Sequence, residues 1–160
     1  MYNQQLTKHF ARSEFERSAT AEKYGIDNSV PPSHIPSLTA LCEHILEPLR
    51  EHINGPVIIS SGYRCPVLNK AVGGARNSQH ITGEAADIVP PPTVIHSQPT
   101  ALKSWFDWIE AHCNFDQLIW ETANGRDYWI HVSCRRNLRQ NRHQVIRHLT
   151  LCTPQVVYRS

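Results

Sequence analysis

The stretch Ser78-Gln79-His80-Ile81-Thr82-Gly83-Glu84-Ala85-Ala86-Asp87-Ile88 decides how the rest of the chain is read. It sets a histidine and an aspartate seven positions apart, with a glycine between them. Fully extended, that spacing separates the two side chains by roughly 23 Å. A chain that bends at Gly83 brings both to one point. Imidazole nitrogen and carboxylate oxygen are donors that zinc accepts, so the segment reads as two ligands of a metal site that needs a third. Residues 84–89 read as a strand with Ala85, Asp87 and Val89 on one face. A carboxylate on so apolar a strand is costly to bury unless it is paired or metal-bound.

His131, in Trp129-Ile130-His131-Val132-Ser133, is the candidate third ligand. Two histidines and an aspartate leave one tetrahedral position open for water, the pattern of a catalytic ion rather than a structural one. Any single histidine of the ten is more often a surface or core residue, so the inference rests on the set.

Composition bounds the alternatives. At 160 residues the chain is expected to be a single domain, residues 1–160, able to bury a real core. Apolar content of 40% and charged content of 19% are those of a soluble globular protein. A net charge of +2 is too small to argue for nucleic acid, and no stretch reaches membrane-spanning length. Neither partner is expected, and the chain is expected to be a monomer. The five cysteines form no C-x-x-C pair and are odd in number, which argues against a disulfide framework and against a cysteine-rich zinc site. Residues 1–10 lack the apolar core of a signal peptide. Synthesis in the cytoplasm is therefore expected, with release to the cell wall by lysis or another delivery route.

Working outward, Ser13 with Glu16 fits a capping box for a helix to Tyr24, stopped by Gly25. Residues 27–36 form a proline-bearing loop. Ser37 is expected to cap a helix whose apolar face is Leu38, Leu41, Cys42, Ile45, Leu46, Leu49 and Ile53, bent or broken at Pro48. Val57 to Ser61 reads as a buried strand and Leu68 to Val72 as a helical turn. Residues 90–99 read as a surface loop and Thr100 to Cys113 as a helix. Phe115 to Glu121 and Tyr128 to Ser133 flank Asn124-Gly125, a hairpin signal. Arg135 to Leu149 has a partial helical period, and Val156 to Tyr158 reads as an edge strand. The order predicts an α+β domain with helices packed on one side of a mainly antiparallel sheet.

Five pieces in this order carry a resemblance: Ser61-Gly62-Tyr63-Arg64, Gly73-Gly74, Ser78-x-His80-x-x-Gly83-x-Ala85-x-Asp87, Phe115-Asp116-Gln117-Leu118-Ile119-x-Glu121 and Trp129-Ile130-His131-Val132-Ser133. Together they resemble the zinc D-alanyl-D-alanine carboxypeptidase family of peptidoglycan peptidases. That family includes phage endolysins, D,D-dipeptidases and, by fold, the N-terminal domain of hedgehog proteins. The resemblance implies a hedgehog-like fold, one Zn2+ per chain and a zinc metallopeptidase acting on a peptidoglycan stem peptide. The bond would be D-Ala–D-Ala or L-Ala–D-Glu. A zinc-containing binding domain without hydrolysis is the alternative.

The roles follow. His80, Asp87 and His131 are the metal ligands. The resemblance favours Glu121 as general base, with Asp127 competing, and puts Arg64 opposite a substrate carboxylate or developing oxyanion. Ser78, Gln79 and Trp129 are further candidate substrate contacts; a turn or cap suits Ser78 nearly as well, and a core role suits Trp129. Glu121 carries a geometric condition. A two-residue turn at Asn124-Gly125 sends it to the face opposite His131. A loop of odd length, pairing it with 127 or 129, puts both on one face.

Overall fold

The computed structural model describes residues 3–150. Two short helices open it, α1 (Arg12–Glu16) and α2 (Ala19–Tyr24). The expected single helix is interrupted by extended backbone at Arg17 and Ser18. Ser13 is not the cap: the Glu14 carboxylate takes the Ala11 backbone N–H at 2.8 Å, and Ser18 Oγ accepts from Ala21 N at 3.1 Å to start α2. Gly25 ends α2 in the left-handed conformation, as expected.

The second apolar run forms a 3-10 turn (Pro32–His34), α3 (Ile35–Leu41), a π turn (Cys42–Leu46) and α4 (Glu47–Ile53) without a break. Ser37 lies buried inside α3, not at its start. Pro48 has no N–H, and in a regular helix its ring would meet the carbonyl four residues back. The π turn solves this. The Glu47 N–H reaches back to Cys42 O, widening the helix just where the ring must fit.

Then follow β1 (Ile58–Ser61), α5 (Pro66–Ala71), β2 (Ala85–Val89), a 3-10 turn (Pro92–Ser97), α6 (Gln98–His112), β3 (Gln117–Thr122), β4 (Tyr128–Ser133), a 3-10 turn (Leu138–Gln140) and β5 (Gln144–Thr150). The sheet order is β1-β2-β4-β3-β5. The first three pairings are antiparallel, and β5 runs parallel to β3, so the α+β fold carries a mixed sheet.

The segment read as partly helical, Arg135 to Leu149, is instead a tight turn and a strand. Asp116, fully buried immediately before β3, accepts from Arg135 Nε at 3.0 Å and from Arg142 Nη2 at 2.6 Å, while Gln144 N donates to Asp116 O at 2.9 Å. These bonds dock the start of β5 beside the start of β3, which fixes the parallel direction. The expected edge strand at Val156 to Tyr158 lies outside the described residues.

Alternation sorts the sheet into two faces. Ala86, Ile88, Leu118, Ile130 and Val132 join Leu38, Leu41, Ile45, Leu49, Leu102, Phe106 and Ile109 in one core. Asp87, Glu121, Trp129 and His131 lie on the other face. Among the described residues no helix is long and apolar enough to cross a membrane.

Candidate metal centre

Asp87 on β2 and His131 on β4 are direct cross-strand partners. Backbone pairing alone therefore sets two of the candidate ligands side by side. His80 comes from the loop before β2. That loop bends at Gly83, whose φ of +72° is left-handed. A Cβ there would also stand a tight 3.2 Å from His34 O, so both the backbone conformation and the space favour glycine.

The three donor atoms converge. His80 Nε2 lies 3.2 Å from His131 Nδ1 and 3.2 Å from Asp87 Oδ1, and His131 Nδ1 lies 3.0 Å from Asp87 Oδ1. The result is a nearly equilateral triangle. A tetrahedral ion with bonds of ~2.05 Å sets its ligand atoms about 3.3 Å apart, so the triangle is close to one face of that tetrahedron. All three residues are buried, and among the described residues they form the group of His, Cys, Asp and Glu donors suited to a metal.

Protonation supports the same reading. His80 Nδ1 sits 2.6 Å from the Gly62 carbonyl and can only donate to it. Burial, and next the Arg64 charge, push the His80 imidazole down to about 4, against the Asp87 carboxylate. Neutral His80 then presents a lone pair at Nε2, the tautomer of a histidine ligand with its other N–H anchored. Burial opposes ionisation of Asp87, but the two facing imidazoles, His80 first and then His131, hold it well below the carboxylate range. A lone pair and an anion facing each other at 3.2 Å are satisfied by a cation at the centre of the triangle.

Glu121 meets its geometric condition. It pairs with Trp129, and the five-residue loop 123–127 separates the last ladder pair, Thr122 and Tyr128. The odd loop puts Glu121 on the face of His131. Asp127 falls in that loop, exposed and bonded to Asn124 Nδ2 at 2.9 Å, away from the ladder. Burial raises the Glu121 carboxyl, and the Asp87 charge raises it further. His131, the Trp129 N–H and Arg64 act against them, and it stands at about 7.

A family profile described as Peptidase M15 matches residues 8–133, a span that holds all three converging side chains and Glu121. The chain belongs to the peptidase M15 family. M15 members are zinc-dependent metallopeptidases, and the His80, Asp87 and His131 donor set fits that ion. No curated protein matches the chain.

Within the M15 site the remaining candidates take specific places. Arg64 Nη2 binds Asp87 Oδ2 at 3.1 Å, and its Nε binds Ser61 Oγ at 3.0 Å. The guanidinium thus takes the aspartate oxygen that the triangle does not use. Trp129 is buried and donates its indole N–H to Glu121 Oε2 at 2.5 Å. Ser78 Oγ accepts from His80 N at 3.3 Å, a turn contact. Both amide atoms of the Gln79 side chain are buried with no hydrogen-bond partner among the described residues. Sequence reasoning missed the Gly62 carbonyl, which orients His80, and Ser61, which orients Arg64. Both lie in the Ser61-Gly62-Tyr63-Arg64 motif, whose arginine carries the visible charge while its serine and glycine carbonyl leave no chemical mark in the sequence.

Proposed function

We propose that the chain is a zinc peptidase that hydrolyses peptidoglycan stem peptides. The observation that carries this reading is the donor triangle with a carboxylate of raised pKa on the same sheet face. His80, Asp87 and His131 would hold a zinc ion, which when bound would supply the Lewis acidity that activates a water and polarises a carbonyl. Glu121 takes the proton of the attacking water as the water oxygen bonds to the scissile carbonyl carbon. Trp129 holds Oε2, which leaves Oε1 for that proton. The C–N bond then breaks, and Glu121 returns the proton to the leaving nitrogen.

Arg64 steadies Asp87 and brings positive charge to where the carbonyl oxygen becomes anionic. The same guanidinium suits a terminal carboxylate. The D-Ala–D-Ala and L-Ala–D-Glu bonds both fit this chemistry. The five sequence pieces shared with peptidoglycan peptidases support the substrate class. The chain would act as a monomer on cell-wall material.

Digestion of purified sacculi with mass analysis of the products tests the proposal and names the bond. Zinc-loaded wild type should release peptide products that Glu121→Gln does not. If the two release the same material, the peptidase reading is wrong. Full zinc content with no product would leave a zinc-containing binding domain.

A further inference from the structure

The turn Gly62-Tyr63-Arg64 touches two of the three ligands through three hydrogen bonds. Gly62 O accepts from His80 Nδ1 at 2.6 Å, Arg64 N donates to His80 O at 3.1 Å, and Arg64 Nη2 donates to Asp87 Oδ2 at 3.1 Å. A segment far away in sequence holds that turn. Tyr63 N donates to Phe15 O at 2.8 Å. A Cβ on Gly62 would lie 2.6 Å from Phe15 Cα, so the two backbones are in direct contact. Asn28, which is buried, completes the grip with its whole amide: Nδ2 donates to Tyr63 O at 2.9 Å and to Glu16 O at 3.0 Å, and Oδ1 accepts from Cys65 N at 2.8 Å.

We propose that Asn28 is a positioning residue for the metal centre. It binds no ligand itself. It clamps the turn on both sides of Arg64, at Tyr63 O and at Cys65 N, and ties it to the end of α1. Both contacts to His80 and the contact to Asp87 leave from Gly62 and Arg64, the chain neighbours of the clamped Tyr63 and Cys65. The N-terminal segment is therefore part of what holds the donor triangle at its 3.0–3.2 Å edges. This inference rests on the metal reading of His80, Asp87 and His131.

The test measures zinc affinity of the metal-free protein by competition with a chromophoric chelator, together with the visible bands of the cobalt-substituted form. Partners that touch a ligand directly are worth roughly 10–100-fold in metal affinity, so a clamp one step farther out should be worth about tenfold. Asn28→Ala should bind zinc about tenfold more weakly, with altered cobalt bands. Asn28→Asp is isosteric and keeps the acceptor for Cys65 while losing both donors. It should also bind more weakly, and it carries the comparison if the alanine variant does not fold. Asn141→Ala removes a comparable asparagine tie, to Arg135 N at 2.8 Å and Asn114 O at 2.9 Å, that among the described residues reaches no ligand or ligand partner. It should lose thermal stability and keep wild-type zinc affinity. Asn28 variants that bind like wild type, or an Asn141→Ala protein weakened as much as they are, overturn the proposal while the metal reading stands. A wild type that binds no zinc overturns both.

Discussion

Trp129 and Glu121 are direct cross-strand partners, and the indole N–H of one holds the carboxylate of the other at 2.5 Å. One oxygen of the proposed base is thus fixed by the neighbouring strand. The bond also opposes the burial that raises the Glu121 carboxyl to about 7.

Trp129→Phe should therefore move that carboxyl further up, because one of the effects that lower it is gone. A base must be ionised to act, so activity falls as pH drops through its pKa. The acid limb of kcat/KM should shift to higher pH in Trp129→Phe, with a larger loss at pH 6 than at pH 8. In the metal-free wild type, NMR of labelled glutamate should find Glu121 titrating near 7, and bound zinc should lower that value. An acid limb identical in the two proteins would mean that the indole does not tune Glu121.

Glu121→Gln should cripple catalysis yet stabilise the metal-free fold at alkaline pH. The folded carboxyl stands at about 7 against an ordinary 4.5, so between those values the folded state holds a proton that the unfolded state has lost. Stability then falls as pH rises from 4.5 through 7. Glutamine has no such penalty. The Tm of metal-free Glu121→Gln should exceed that of wild type at pH 8 and match it near pH 4. Activity should drop by about 10²–10⁴-fold with zinc content unchanged.

Zinc should be bound at one ion per chain, and His80→Ala should lose it. An ion that binds only the folded state at a thousand times its Kd stabilises by about 4 kcal/mol. Adding zinc should raise the Tm of metal-free wild type by several degrees and leave His80→Ala unmoved. An equal shift in both proteins would place the ion elsewhere.

Asp116 makes a separate acid-stability prediction. Burial opposes its ionisation, but hydrogen bonds from the Arg142 side chain and backbone, and from Arg135, hold its carboxyl at about 2. Its stabilisation is present above 3.8 and is lost as pH falls from 3.8 through 2. Asp116→Asn should lose this part of the acid dependence. At pH 7 it should cost about 2 kcal/mol in urea unfolding, below the usual cost of breaking a buried pair because both arginines are partly exposed.

Much of the site was legible because its signals are local. The spacing of His80 and Asp87 around Gly83 and the alternation in residues 84–89 each depend on a few neighbouring residues. What escaped depends on distant ones. Val145 and Ile146 fit a helix or a strand equally well; the carboxylate of Asp116, some thirty positions earlier, decides for the strand. Ser13 looked like a cap because its own segment offers Glu16, but Glu16 instead binds Arg12 and the Val30 backbone. The Asn28 clamp left no local mark at all, since an asparagine in a polar loop reads as a turn residue.

The five-residue loop between Thr122 and Tyr128 also restricts how this hairpin can change over time. Losing or gaining one residue there turns Glu121 toward the helices or else forces a bulge. Losing or gaining two leaves the carboxylate where it is. Among descendants of this chain, length changes at residues 123–127 should accumulate in pairs, and the same rule applies to anyone grafting a new loop at that tip.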